Sequence, residues 1–478
     1  MGRTMNRKIG VSQFCSCLFE NLALQNSCSF QKFETTMSLA TKMLFRPDSQ
    51  IYTGNMLTLK YIQDNQEEVI ERLKIKHFDA EKIIAQIVEA DNERRATQSV
   101  VDQRQNELNT LSKSIGQLFK SGRTDEATEA RSKTAGLKDE IRSLNAKLSE
   151  SEKKIQELLV QVPNVPHPTV PEGKGEEDNE VVNSGGEVPA LENALPHWEL
   201  ATKYDLIDFE LGTKITGAGF PVYKGWGAKL QRALINFFLD EATAAGYKEV
   251  LPPLLVNEDS GFGTGQLPDK EGQMYYVGAD NLYLIPTAEV PVTNIFRDVV
   301  LDEKDLPVKQ CAYSACFRRE AGSWGSHVRG LNRLHQFDKV EIVQVASPDN
   351  SYEVLDQMLV HVQSLVEKLE LPWRILKLCG GDISFTSALT YDFEVYSAAQ
   401  KRWLEVSSVS NFESYQANRL KLRFRKTGEK KTQLAHTLNG SALALPRIVA
   451  AILENNQTPG GIRVPKVLIP FMGTDLIK

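Results

Sequence analysis

Cys316 to Gln344, CFRREAGSWGSHVRGLNRLHQFDKVEIVQ, reads as a hairpin that holds an anion. Arg318 and Glu320 close an apolar approach, a loop rich in Gly and cations follows, and Leu334 to Val343 runs back with polar side chains interleaved. That alternation is the pattern of a half-buried strand. A guanidinium is always charged and offers planar, paired donors that match a phosphate or a carboxylate. A carboxylate two residues along, on the same face of a strand, accepts from a base amine or orients the arginine. A surface hairpin with an exposed ion pair uses the same residue types, so the rest of the chain has to decide.

Upstream, Trp226 to Ala245 reads as a helix presenting Leu230, Leu234, Phe237, Phe238 and Glu241. Gly246 ends it, and YKEVLPPLLV follows as a strand interrupted by Pro252 and Pro253. Such a pair serves either core packing or a dimer interface. Gly263 to Pro268 (GTGQLP) turns the chain, and Ile285 to Glu289 (IPTAE) sets a hydroxyl and a carboxylate at a helix start. Downstream, Trp403 to Ser408 (WLEVSS) places Glu405 beside Ser407 and Ser408, a donor set that suits magnesium held against a phosphate. Gln433 to Arg447 (QLAHTLNGSALALPR) puts Asn439, Gly440 and Ser441 before an apolar helical run containing Arg447, so a helix start is the expected anion site. Helix-like and strand-like segments alternate throughout this region. The expected fold is α+β with a largely antiparallel sheet flanked by helices.

The preceding part has a different period. From Ile83, steps of four and three pass through Ile87, Ala90, Arg94, Thr97, Val101, Arg104, Leu108, Leu111, Ile115 and Leu118. KSGRTD breaks the run at Lys120 to Asp125, and the period resumes at Ala127, Ala130, Thr134, Leu137, Ile141, Leu144, Leu148, Ser151, Ile155, Leu158 and Val162. Two matching seams joined by a short Gly-containing turn predict an antiparallel two-helix coiled-coil arm over 79–161, its second helix capped by Thr124 or Asp125. VPNVPHPTVPEGKGEEDN then reads as an extended linker over 163–180, because proline lacks the backbone donor and biases its predecessor away from helix.

Composition is that of ordinary globular material, with 41% hydrophobic and 25% charged residues among 478. A net charge of -6 argues against a uniformly basic coat for nucleic acid and leaves room for a local cationic path. Six cysteines in two distant groups show no paired zinc spacing and are too sparse for a disulfide scaffold, which favours a reducing cytoplasm. No apolar run approaches the roughly 20 residues that span a bilayer. Residues 1–55 lack periodicity and are expected to be a disordered or non-native extension, with a targeting peptide weakened by Glu20, Glu34 and Asp48.

Taken in order, these segments resemble the class II aminoacyl-tRNA synthetases, and among them the bacterial-type seryl-tRNA synthetase family. GYKEVLPPLLV resembles the first family motif, FRREAGSWGSHVRGLNRLHQFDKVEIV the second and LNGSALALPR the third, with GTGQLP, PTAE and EVSS matching the seryl pattern between them. The resemblance starts near Met56 and reaches the C-terminus. It implies a helical tRNA-binding domain over 56–162 and a class II catalytic domain over 181–478. It also implies L-serine, ATP, Mg2+ and tRNA(Ser) as ligands, with tRNA(Sec) a second candidate, and a homodimer away from any membrane.

By matching position, Arg318 and Arg447 are the implied catalytic residues. The implied ATP site comprises Arg318, Arg319, Glu320, Leu334, Phe337, Glu405, Val406, Ser407, Ser408 and Arg447, with Glu405 and Ser408 as magnesium ligands. The implied serine site comprises Thr287, Ala288, Glu289, Arg318, Glu341, Asn439 and Ser441. Two other readings stay open on the sequence. One is a serine-activating homologue that loads a carrier other than tRNA, and the other is a catalytically inactive coiled-coil interaction protein.

Overall fold

The computed structural model describes residues 58–269, 271–321 and 328–478. The extension expected over 1–55 lies outside the described residues, as does the middle of the motif 2 hairpin loop, 322–327.

Helices α1 (Leu59–Asp64) and α2 (Gln66–Lys74) lead into a hairpin of α3 (Glu81–Lys120) and α4 (Thr124–Leu159). At 1.5 Å per residue the hairpin reaches roughly 60 Å. The buried positions Ile87, Ala90, Thr97, Val101 and Leu108 on α3 face Ala127, Ala130, Thr134, Leu137, Ile141, Ser151 and Ile155 on α4, which is the predicted seam. Two ion pairs cross the seam, Arg104 Nε to Glu140 Oε1 and Lys147 Nζ to Glu93 Oε1, each at 2.9 Å. Both are exposed and contribute more to register than to stability.

Two local expectations fail here. Arg123 is the N-cap of α4 and makes no side-chain capping bond, and Thr124 and Asp125 are already helical. Asp125 and Glu126 act instead on the dipole of the first turn. At the base, Ile84 rather than Ile83 is fully buried, because the helix leaves its partner there and packs on Ile62, Val69, Leu73, Val162, Val165 and Tyr415. Asp91 is also fully buried at this end, where it accepts from Arg94 Nε at 2.8 Å and Arg95 Nε at 2.8 Å and from the Gln63 amide.

The Pro-rich segment after α4 forms no strand before β1 and contains a 3-10 turn at Glu176–Asp178, and its first residues are packed into the body instead of running as a free linker. Asn164 is fully buried and donates from Nδ2 to the Thr386 and Phe412 carbonyls, each at 2.9 Å, and from its backbone to Phe385 O at 2.8 Å. Proline leaves the neighbouring carbonyls and the lone N–H groups unable to form a regular ladder. The asparagine side chain supplies the bonds that dock the segment.

Beyond it come β1 (Glu180–Gly185), α5 (His197–Lys203), α6 (Gly225–Ala244), β2 (Lys248–Glu249), α7 (Glu289–Asn294), β3 (Val308–Phe317) and β4 (Gln336–Ala346). There follow α8 (Ser351–Lys368), β5 (Trp373–Lys377), β6 (Leu389–Ser397), β7 (Arg402–Asn411), α9 (Ser414–Leu420), β8 (His436–Ala444) and α10 (Leu445–Asn455). The eight strands form one sheet in the order β1-β5-β6-β7-β8-β4-β3-β2, antiparallel throughout except for the short β2–β3 pair. This is the α+β architecture the sequence predicts. Helices α6, α8 and α10 pack on the sheet. The strand predicted from YKEVLPPLLV is split by its prolines into β2 and a separate pair at Leu255–Val256, and it leaves Leu251 85% exposed and Leu254 and Leu255 about two-fifths exposed.

Asp91 lends itself to a stability test. Asp91→Ala strips Arg94 and Arg95 of a buried acceptor, and both cations can turn toward water, so the expected loss is about 2 kcal/mol rather than the larger figure for a fully enclosed pair. Urea unfolding of the variant should show it, and a loss below about 0.5 kcal/mol would mean that the buried carboxylate does not fasten the arm base.

Candidate active site

Four adjacent strands, β3, β4, β8 and β7, carry one wall of a cavity of about 550 Å³. In the register of β4 with β8, Glu341 stands opposite Ser441 and Val343 opposite Asn439. In that of β8 with β7, Asn439 stands opposite Ser410 and Gly440 opposite Val409. Gly440 is required at that crossing, because a Cβ would stand 2.9 Å from Val409 Cγ2. Asn439, Gly440 and Ser441 therefore lie inside a strand and do not precede a helix directly. The helix starts at Leu445 with Pro446 in its first turn, so the expected anion site at an Asn-Gly-Ser helix start is not formed.

One end of the cavity is acidic and closely bonded. Glu289 opens α7 and accepts from the Gln416 amide at 2.7 Å. Thr287 Oγ1 donates to Glu341 Oε2 at 3.1 Å and accepts from Lys339 Nζ at 2.8 Å, and Lys339 also pairs directly with Glu341. All five residues are buried. Burial, reinforced by the charge of Glu341, pushes the Glu289 carboxyl up to about 7, with the amides of Gln416 and Asn439 pulling the other way. Burial raises Glu341 too, and Lys339 opposes that rise. The pocket holds one carboxyl more than its single ammonium neutralises, and a second cation would complete it.

Arg318 sits between this end and the next. Strand β3 ends at Phe317, and the pairing is carried one residue further by the Arg318 N–H donating to His335 O at 3.0 Å. Arg318 Nε points at Pro286 O from 3.4 Å, its guanidinium lies 5.4 Å from the Phe337 ring centre, and its two terminal nitrogens form no hydrogen bond with a described residue. The open fork lines the cavity. Glu320 lies past the strand end in a left-handed conformation, φ 47, so the same-face reading of Arg318 and Glu320 is corrected. Arg333 Nη1 holds it from the returning leg at 2.9 Å.

The far end is built on the β6–β7 hairpin. Residues three apart on a regular strand point to opposite faces, but the register slips at Val406, with Phe393 opposite Ser407 and Glu394 opposite Glu405. This bulge restores Glu405 and Ser408 to one face, and Ser408 Oγ donates to Glu405 Oε1 at 3.4 Å. Asp392 stands opposite Ser408 on the same side. Burial and the Glu405 charge hold the Asp392 carboxyl well above its ordinary range, and its Oδ1 is buried without a hydrogen-bond partner. Such a cluster of oxygen donors with an unmatched buried carboxylate oxygen fits a hard divalent cation. Arg447 on α10 reaches the same place, with Nη1 donating to Glu405 O at 2.8 Å and Nε to Asn332 O at 3.1 Å.

Of the residues expected from sequence, Thr287, Glu289, Arg318, Glu320, Leu334, Phe337, Glu341, Glu405, Val406, Ser407, Ser408, Asn439, Ser441 and Arg447 line this one cavity. Arg319 and Ala288 do not line it. The Arg319 N–H is spent on Gln273 O at 2.9 Å, and Ala288 is packed against Val292, Ala312 and Val343. Lys339, Gln416, Asn332 and Asp392 were missed. Lys339 was within reach, two residues before Glu341 on a strand and so on its face.

The seryl-tRNA synthetase N-terminal domain matches residues 56–166, and the class II tRNA synthetase core domain of the G, H, P, S and T enzymes matches residues 275–456. A serine–tRNA ligase of Salinibacter ruber is 50% identical over 420 residues, covering 87% of this chain and 98% of its own. The chain belongs to the seryl-tRNA synthetase family. A serine–tRNA ligase of the same family from Akkermansia muciniphila is 46% identical over 425 residues, 88% of this chain and 99% of that one. Among solved structures, seryl-tRNA synthetase from Pyrococcus horikoshii complexed with ATP superposes with a TM-score of 0.82 at 33% identity, covering 88% of this chain and 99% of that one.

The raised Glu289 carboxyl has a thermodynamic consequence in this family member. A carboxyl whose folded pKa lies above its unfolded value destabilises the fold as pH rises from about 4.5 to about 7, and the effect is constant above that. Glu289→Gln should therefore gain about 2 kcal/mol over the native chain between pH 5 and pH 8. Urea unfolding at the two pH values measures the difference, and a gain independent of pH would show that Glu289 is ionised throughout.

Proposed function

We propose that this chain is a serine–tRNA ligase, which joins L-serine to tRNA(Ser) through an enzyme-bound seryl-adenylate made from ATP. One observation carries the reading. Arg318 presents a guanidinium fork whose terminal nitrogens bond no described residue, between a buried pocket short of one cation and a second cluster suited to a nucleotide and its metal.

The serine ammonium completes the acidic end at Glu289. Its hydroxyl meets Glu341 and Thr287, beside Ser441, and its carboxylate turns to Arg318. ATP lies with its base on Phe337 and its exocyclic amine toward Glu320, while Arg447 takes the outer phosphates. A serine carboxylate oxygen attacks the α-phosphorus and the bond to pyrophosphate breaks. Arg318 contacts both reacting anions, offsets their repulsion and stabilises the charge that gathers on the α-phosphoryl oxygens. The terminal ribose hydroxyl of the tRNA then attacks the seryl carbonyl and AMP departs. Glu405 and Ser408, with Asp392 behind them, would hold Mg2+, which supplies charge neutralisation along the phosphates.

A hydroxyl met by buried partners excludes alanine strongly, since those partners are left unpaired without it, and threonine is excluded by the size of the pocket. Recognition of tRNA falls to the α3–α4 arm, which reads shape and backbone. The exposed Leu251, Leu254 and Leu255 support a homodimer. Among the described residues no helix is long and apolar enough to cross a membrane, and Cys311, Cys316 and Cys379 are unpaired and buried, which suits the cytoplasm.

Pyrophosphate exchange across all amino acids, followed by charging of total tRNA, tests the reading. Serine alone should support exchange, and only tRNAs with a long variable arm should be charged. Replacing residues 98–142 by a short Gly-Ser turn keeps the Glu93–Lys147 pair, Asp91 with Arg94 and Arg95, and the packed arm base, so exchange should survive within about threefold while charging falls more than about a hundredfold. Parallel loss of both activities would contradict a separable recognition arm. Glu341→Gln should lower serine-dependent kcat/KM more than about tenfold and erode selectivity over threonine. Unchanged values would remove Glu341 from the side-chain pocket.

A further inference from the structure

Helix α5 opens on His197, a fully buried residue that the reaction above does not use. Both ring nitrogens are engaged. Nε2 accepts the backbone N–H of Leu331 at 2.8 Å, which leaves the ring proton on Nδ1, and Nδ1–H donates to Glu454 Oε1 at 2.7 Å. Glu454 is itself fully buried and receives three more donors: the His197 N–H at 3.0 Å, the Gln400 amide at 3.1 Å and the Ser397 hydroxyl. A carboxylate so saturated is a fixed acceptor, and it fixes the tautomer and plane of the imidazole with it. Gly330, at φ +69, lets the returning leg of the hairpin lie against the ring, since a Cβ there would stand 2.2 Å from His197 Nε2.

The segment held in this way leads into the nucleotide end. Leu331 and Asn332 line the cavity. Asn332 O accepts Arg447 Nε at 3.1 Å, and the Asn332 amide donates to Gln400 Oε1 at 2.9 Å, which returns the network to Glu454. Arg447 and Glu454 stand on the same helix, α10. The hydrogen bonds therefore close a ring from Glu454 through His197, Leu331, Asn332 and Arg447 back along one helix. No hydrogen bond or ion pair joins a member of it to Glu289, Thr287 or Glu341.

We propose that His197 is a positioning residue for the nucleotide: its Nε2 lone pair seats the Leu331–Asn332 segment, and the Asn332 carbonyl then aims the Arg447 guanidinium. The proposal rests on the reading of the cavity as a site for ATP and serine. It predicts an effect confined to the ATP side and transmitted through one arginine.

Two conservative variants separate this role from packing. His197→Asn keeps a donor toward Glu454 but is too short to reach Leu331, whereas His197→Gln carries an acceptor to the position of Nε2. In the full chain, His197→Asn should raise both the Kd for ATP, measured by calorimetry, and KM for ATP in pyrophosphate exchange by about tenfold, with KM for serine within about twofold. His197→Gln should recover to within about threefold of the native chain. In an Arg447→Ala background, His197→Asn should weaken ATP binding by less than about a further twofold, because the group it aims is gone. Equal losses in both backgrounds, equal losses for Asn and Gln, or a matching rise in KM for serine would overturn the proposal. If thermal unfolding shows His197→Asn to be misfolded, Gly330→Ala, which presses on the same ring contact, must show the ATP-selective loss for the proposal to stand. A native chain that binds ATP but exchanges no pyrophosphate with serine would sink the functional reading, while the ATP affinities of the variants still decide the role of His197.

Discussion

The register of β4 against β8, with Glu341 opposite Ser441, is the constraint on which the site depends. Side chains alternate along a strand, so a slip of one residue would turn Lys339 and Glu341 out of the cavity and bring Val340 and Ile342 into it. The register is held from both sides, because β4 is paired along its length with β3 and shares β8 with β7. Hydroxyl bonds reinforce it across strands: Ser407 Oγ donates to Ser441 O at 2.6 Å. The same pairing delivers Arg318 to the rim one residue past the end of β3.

Given that frame, the chemistry is mostly a matter of unbalanced charge held in place. Each end of the cavity carries buried carboxyls without enough cations, and burial raises the carboxyl at Glu289 and at Asp392 alike. Arginines stand beside both ends, Arg318 with an open fork and Arg447 against Glu405. The proposed serine ammonium at one end and metal-bound polyphosphate at the other would supply the opposing charge. Positioning and preorganised charge then account for most of the expected acceleration, since the protein supplies no covalent intermediate.

Much of this was legible in the sequence, and the failures have definite causes. The arm declared itself through two heptad seams, because a coiled coil writes its contacts into a period. Most of the cavity wall was named from short motifs of strand residues. Legibility stopped where tertiary structure overrides local pattern. Asn439 to Ser441 looks like a helix entrance, yet those residues are drawn into β8 by pairing on both sides. The bulge at Val406 that brings Glu405 and Ser408 to one face leaves no trace in WLEVSS. Asp392, Gln416 and His197 bond to residues of the cavity wall from segments that carry no motif. Asn164 fastens a proline-rich stretch whose composition reports only its extension.

One guanidinium, Arg318, bridges the proposed serine pocket and the proposed nucleotide pocket on a fixed strand register. A crystal structure with a non-hydrolysable sulfamoyl analogue of seryl-adenylate tests it most directly. The analogue's ammonium should stand at Glu289, its sulfamoyl oxygens should be hydrogen-bonded to the Arg318 fork and its adenine should lie on the Phe337 ring, with β4 and β8 in the present register. An analogue bound in the reverse sense, with its amino acid at Glu405, or one that leaves Arg318 untouched, would contradict it.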